Sequence, residues 1–220
     1  MIVLAIDAST SACSAALRRD GRIVAHRLTA MARGQSEALL PMVAAVMAEA
    51  GQDFAGLDLI AVTVGPGAFT GLRIGLAAAR GLALASGRPL AGIATPLAVA
   101  AAVPAAERAG RVLVVALDSR RDRPWVQVFA PDLAPLTAVA ALAPAEIEAT
   151  LAGRPALLVG DGAAALAPAL PQAVAATSPG WPDAAVVAAL AAERWPRGDT
   201  LPAEPLYLRP PDVTLAGAAR

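Results

Sequence analysis

The chain has 220 residues, enough to bury a core as one domain or two small ones. Its 18 acidic residues are balanced by 18 basic ones, all arginine, so charge makes no case for nucleic-acid binding by this chain alone, and lysine nucleophiles, Schiff bases and a P-loop lysine are excluded. A single cysteine, Cys13, excludes intramolecular disulfides and thiolate zinc sites.

Met1-Ile2-Val3-Leu4 leads directly into a strand pattern without the basic region of a signal peptide. The uncharged stretches 89–106 and 162–182 are alanine-based and interrupted by proline, which argues against membrane spans. A soluble cytoplasmic protein is expected.

Residues 2–7 form an apolar run ending in Asp7, followed by the polar loop Ala8-Ser9-Thr10-Ser11. Residues 13–17 and 23–28 read as strands joined by the Asp20-Gly21 hairpin turn, giving an antiparallel meander. Cys13 in the second strand reads as a buried structural thiol, and His26 in the third as a strand histidine without clustered ligands around it. Leu39, Val43, Val46 and Met47 at helical spacing predict a helix over 36–50, with Pro41 as a kink or a later start. Residues 57–64 predict a buried strand and 69–85 a helix.

Between the last two lies Gly65-Pro66-Gly67-Ala68-Phe69-Thr70-Gly71-Leu72-Arg73-Ile74-Gly75. Its glycines and the following helix N-terminus allow a nest for an anion. Gly67, Gly71 and Gly75 also fall near one helix face at i, i+4 spacing, which permits very close approach of another helix. The segment therefore reads as a phosphate loop or as a subunit-packing surface. Glycine inside a helix costs about 1 kcal/mol relative to alanine, so Gly71, Gly75 and Gly81 ask for a packing reason.

The second half repeats the first. Val115-Ala116-Leu117-Asp118 before Ser119-Arg120-Arg121 parallels Leu4-Ala5-Ile6-Asp7 before Ala8-Ser9-Thr10, with Trp125–Phe129 as the returning strand. Leu157-Leu158-Val159-Gly160-Asp161-Gly162 parallels Val62-Thr63-Val64-Gly65-Pro66-Gly67. Two copies of one α/β unit are expected.

The residues Leu4-Ala5-Ile6-Asp7-Ala8-Ser9-Thr10, Gln35-Ser36-Glu37-Ala38-Leu39-Leu40-Pro41 and the glycine-rich segment 65–75 resemble the TsaB (YeaZ) family of bacterial tRNA-modification proteins, within the actin-like ATPase superfamily. Weaker matches are Asp118-Ser119-Arg120, Gly160-Asp161-Gly162 and Tyr207-Leu208-Arg209, and Gln35 stands where the family often has histidine. The resemblance implies a duplicated actin-like α/β fold: two lobes with mixed sheets flanked by helices, residues 1–100 and 101–220. The C-terminal segment is expected to return to the first lobe, and 95–104 to act as hinge or boundary.

It also implies a scaffold rather than a catalyst. Such a subunit works with its paralogue TsaD and the ATPase TsaE to transfer threonylcarbamoyl from threonylcarbamoyl-AMP to N6 of adenosine 37 in tRNAs reading codons that begin with A. ATP and metal belong to those partners, tRNA is met through the complex, and a homodimer forms when TsaD is absent. Where TsaD-like members carry His-x-x-x-His, this chain aligns Thr95-Pro96-Leu97-Ala98-Val99, with no imidazole at either end. No catalytic residue and no metal ligand is assigned.

The expected partner interface comprises Leu39, Leu40, Val43 and Met47 on the earlier helix. It continues with Gly67, Gly71, Leu72, Arg73, Gly75, Leu76, Ala79 and Arg80 on the glycine-rich one. The rival reading is an actin-like ATPase or small-molecule kinase in which Asp7 and Asp118 organise Mg²⁺–ATP and Ser9 and Thr10 contact phosphate, with weak nucleotide binding as its lesser form. Peptidase activity is a third, weaker option, since only His26 is available and no Gly-x-Ser-x-Gly or His-Glu-x-x-His occurs.

Overall fold

A computed structural model of the chain describes residues 1–208. The apolar run after Met1 forms β1 (Ile2–Asp7), which pairs antiparallel with β2 (Ala12–Arg19), and β2 in turn with β3 (Arg22–Ala30). Asp20 and Gly21 both adopt positive φ, 50° and 87°, the backbone that a two-residue hairpin requires. Helix α1 (Gln35–Glu49) runs through Pro41 on its exposed side, giving up one helical N–H without ending. Next come β4 (Leu59–Thr63), α2 (Phe69–Ser86) and β5 (Leu90–Ile93), with β4 parallel to both β1 and β5.

The first sheet has the order β3-β2-β1-β4-β5. Alternation along β1 divides its residues between two cores: Leu4 and Ile6 meet α1 and α2, whereas Val3 and Ala5 face the opposite layer.

Helices α3 (Thr95–Ala102) and α4 (Ala105–Arg108) precede the second sheet, which is built from β6 (Val112–Leu117), β7 (Trp125–Phe129), β8 (Ala156–Val159) and β9 (Ala173–Ala175). Between them lie α5 (Pro144–Leu151) and α6 (Ala163–Leu166). The order β7-β6-β8-β9 repeats the pattern of the first sheet, with β6 and β7 antiparallel and β6, β8 and β9 parallel. Where the first unit has β3, the second has only isolated bridges from Val126 to Ala140 and from Phe129 to Pro135.

Two helices tie the halves together. Segment 95–104, expected as a hinge, is instead mostly α3, a buried helix. Pro96 sits in its first turn, where the missing N–H costs nothing. Its Ala98 joins the core under the first sheet, and Val99 and Ala100 join the core of the second, so the link is packed on both sides. Helix α7 (Ala184–Arg194) lies on the first sheet, burying Val187, Ala188 and Ala191 against the Val3, Ala5, Leu59 and Ala61 face. Among the described residues no helix is long and apolar enough to cross a membrane.

Candidate functional site

At the end of β1, Asp7 is completely buried. Its Oδ1 accepts from the Ser9 N–H (3.1 Å), from the Ser9 hydroxyl (2.6 Å) and from the Thr63 hydroxyl, while the buried Oδ2 has no partner. Burial pushes the carboxyl up to about 6; the hydroxyls of Ser9 and Thr63 and the Ser9 N–H pull the other way, and the charge of Asp161 adds to the rise. Thr95, at the start of α3, donates to the Ser9 hydroxyl (3.3 Å) and accepts from the Gly65 N–H (3.1 Å). The result is a buried polar knot joining β1, β4, α3 and the glycine-rich loop. Thr10, next along the loop, is also buried, and its hydroxyl has no partner among the described residues.

The second unit places Asp118 just beyond β6, partly exposed. Asp118 accepts from the Arg120 N–H (2.7 Å) and pairs with the Arg120 guanidinium (3.3 Å), and its own N–H donates to Asp161 (2.8 Å). Arg120 reaches across to the Ser11 hydroxyl of the first unit at 3.3 Å. Burial raises the Asp161 carboxyl, the Asp118 charge adds to it, and Arg120 opposes it. Asp161 is the member of this constellation that sequence reasoning missed: Gly160-Asp161-Gly162 stood out as a repeat but not as a site. Among the described residues no group of three His, Cys, Asp or Glu side chains is placed to hold a metal ion.

The glycine-rich loop folds onto the Ala8-Ser9 backbone. Ala68 N–H donates to the Ser9 carbonyl at 2.7 Å. A Cβ on Gly67 would stand 2.2 Å from that same oxygen, and one on Gly71 would stand 2.0 Å from the Ala8 carbonyl oxygen. The start of α2 is thus filled by the chain's own backbone, and the glycines exist to allow that approach.

This relocates much of the expected interface. Leu39, Val43 and Met47 of α1, and Gly71, Leu72, Gly75, Leu76 and Ala79 of α2, are buried inside their own lobe, and Gly67 abuts Ser9. The apolar stripes of both helices are spent on the sheet they cover. Leu40, Arg73 and Arg80 remain exposed. Of the residues read for nucleotide, Asp7, Ser9 and Thr10 are buried, and Asp118 alone reaches the surface.

Two exposed aromatic rings complete the outer face of α2. Phe69 is 51 % exposed and Tyr207 48 %, their ring centroids are 5.9 Å apart, and the Arg73 guanidinium lies 3.6 Å from the Phe69 centroid. Neither ring was singled out from sequence, because each stands alone in a segment without aromatic periodicity. Arg209, the last residue of the weak C-terminal match, lies outside the described residues.

The other candidates have structural employment. His26 Nε2 lies 2.8 Å from Asp183, whose carboxylate also accepts from the Ala185 N–H at the start of α7. Cys13 is buried, and burial with the nearby Asp7 charge pushes its thiol up to about 11, far from a reactive thiolate. Gln35 donates to the Met31 carbonyl (3.2 Å), bracing the turn before α1. Thr95 and Val99, aligned with the paired histidines of TsaD-like proteins, are both buried in α3 and offer no imidazole.

Two mixed sheets in repeated order, with a packed interlobe knot in place of an open cleft, define the class: a duplicated actin-like α/β protein. The model of the family described as TsaD, tRNA N6-adenosine threonylcarbamoyltransferase, matches residues 24–130. The tRNA threonylcarbamoyladenosine biosynthesis protein TsaB of Escherichia coli K12 is 39 % identical over 120 residues, 54 % of this chain and 51 % of that protein. The Haemophilus influenzae protein of the same name is 36 % identical over 120 residues, 54 % of this chain and 50 % of that one. The chain therefore spans about half the length of the curated relatives it matches. A Pseudomonas aeruginosa crystal structure, of a protein described as similar to the peptidase YeaZ, superposes with a TM-score of 0.83 at 31 % identity, over 94 % of this chain and 99 % of that one. A structure of YeaZ from the same organism gives 0.81 at 29 %, with the same coverage. The chain belongs to the TsaB/YeaZ family.

Proposed function

We propose that this chain is a non-catalytic subunit that binds and supports a TsaD paralogue, together with TsaE, in threonylcarbamoyl transfer to N6 of adenosine 37 of tRNAs reading codons that begin with A. The observation that carries this reading is the filled start of α2. The Ser9 and Ala8 carbonyls occupy the place an anion would need, and Asp7 sits beneath them, fully buried. A chain built this way lends shape rather than chemistry. ATP and metal are then the partners' business, tRNA is met through the complex, self-association is the fallback when the paralogue is missing, and the setting is cytoplasmic. The relatives named TsaB support the pathway, and the near-complete overlap with the Pseudomonas structures supports treating the two lobes as one working unit.

Reconstitution tests it: transfer of the threonylcarbamoyl group to tRNA is followed with the chain, the TsaD paralogue and TsaE of the same genome, omitting each in turn. Modification is expected to collapse without this chain. An undiminished rate in its absence would end the scaffold reading. Magnesium-dependent ATP turnover by the chain alone, lost in Asp7→Asn, would replace it with the ATPase or kinase alternative.

A further inference from the structure

Beyond α7 the chain returns across the open edge of the first sheet. Leu201 pairs with Gly92 of β5 through both backbone bonds (2.8 and 3.0 Å), and Leu206 N–H donates to the Val64 carbonyl (2.7 Å). Gly92 leaves room for this passage, since a Cβ there would stand 2.6 Å from the Pro202 carbonyl oxygen. Two arginines of α2 hold the segment from the other side. Arg80 donates twice to the Ala203 carbonyl (3.0 and 2.7 Å), and Arg73 donates to the Tyr207 hydroxyl (3.0 Å) while stacking on Phe69.

Every acceptor of these two arginines is uncharged. Among the described residues neither forms an ion pair, so two positive charges stand uncompensated beside exposed aromatic surface. They are seven residues apart on one helix, about 10 Å along its axis. Buried aromatic and arginine anchors are what carries binding energy at protein interfaces.

We infer that the docking face of this chain is a composite of α2 and the strap 201–207, anchored on Phe69, Arg73 and Tyr207, and not the glycine stripe beneath. Its occupant is a protein surface offering an apolar helix flanked by carboxylates about two turns apart, which match Arg73 and Arg80. The strap both supplies Tyr207 and holds the two guanidinium groups in position before the partner arrives, reducing the ordering cost of binding. The inference rests on the partner reading above, the TsaD paralogue being the carboxylate-bearing occupant.

Titration calorimetry of the full chain against the purified paralogue tests it. Phe69→Ala and Tyr207→Ala are each expected to raise Kd roughly tenfold or more. Tyr207→Phe, which keeps the ring and loses the 3.0 Å bond, falls between them and the parent. Hydrogen exchange on the unmutated chain gives a second readout independent of any variant: the paralogue should slow exchange at 69–73 and 201–207. Unchanged affinity in both alanine variants, or exchange unaltered at those segments when the partner binds, overturns the composite face and leaves the scaffold reading intact. Protection that appears only as the chain's own concentration rises, and not on adding the paralogue, assigns the face to a second copy and overturns the inference. Absence of any binding by the parent chain defeats both readings together.

Discussion

Asp7 shows how a residue that reads as catalytic can be structural. A carboxylate at a strand end, followed by Ser-Thr, is the arrangement that organises a metal-nucleotide complex when it faces an open cleft. Here it is closed over, and its raised carboxyl makes a pH signature. The unfolded group titrates near 3.8 and the folded one near 6, so between those values the folded state binds more protons than the unfolded one. Asp7 therefore favours folding most when protonated, and that advantage is lost as pH rises through about 6. The shift corresponds to roughly 3 kcal/mol of stability lost across the window. Urea unfolding from pH 4 to pH 7 should show a shallower decline for Asp7→Asn than for the parent, with Asp161, raised in the same direction, supplying part of what remains. Parallel pH profiles in the two proteins would show that Asp7 is not the titrating group.

At the scale of elements, α2 separates two kinds of glycine that look alike in sequence. Gly71 meets the Ala8 carbonyl so closely that no side chain fits, whereas Gly81, exposed on the same helix, has nothing within 4 Å of an added Cβ. Gly71→Ala should destabilise by about 1–3 kcal/mol through forced displacement of backbone. Gly81→Ala should stabilise by about 0.5–1 kcal/mol through helix propensity. Opposite shifts of the denaturation midpoint are the expected outcome, and shifts of the same sign would count against the packing account. The glycine spacing was legible; its purpose was not, because the neighbour is backbone some sixty positions away, and backbone contacts leave no side-chain pattern. Strands β1, β4, β6 and β8 were legible from their apolar runs and terminal Asp or Gly. The strap was not, because its hold on the fold depends on single residues, Gly92, Arg80 and Arg73, rather than on any period. Helix α7 escaped for a related reason, since alanine on most of its faces gives no clear amphipathic stripe.

For the molecule as a whole, the two repeats do not divide into two self-sufficient halves. The first sheet carries α1 and α2 on one face, but its other face is covered chiefly by α7, which arrives more than ninety residues after β5 has ended. Without that helix, Val3, Ala5, Leu59 and Ala61 would meet water, together with Ala91 and Ile93 of β5. The covering residues Val187 and Leu190 would each forfeit about 1.5–3 kcal/mol of burial. Those two alone forfeit a sizeable part of the stability of a domain, about 5–15 kcal/mol, before the strand residues are counted. A fragment of residues 1–103 is thus expected not to fold by itself, and to recover order when residues 181–208 are supplied as a second piece. Amide proton dispersion in the NMR spectrum distinguishes the states: collapsed shifts for the short fragment alone and dispersed ones for the pair. A well-dispersed spectrum from residues 1–103 without the second piece would mean that the first lobe is autonomous and that α7 merely rests upon it.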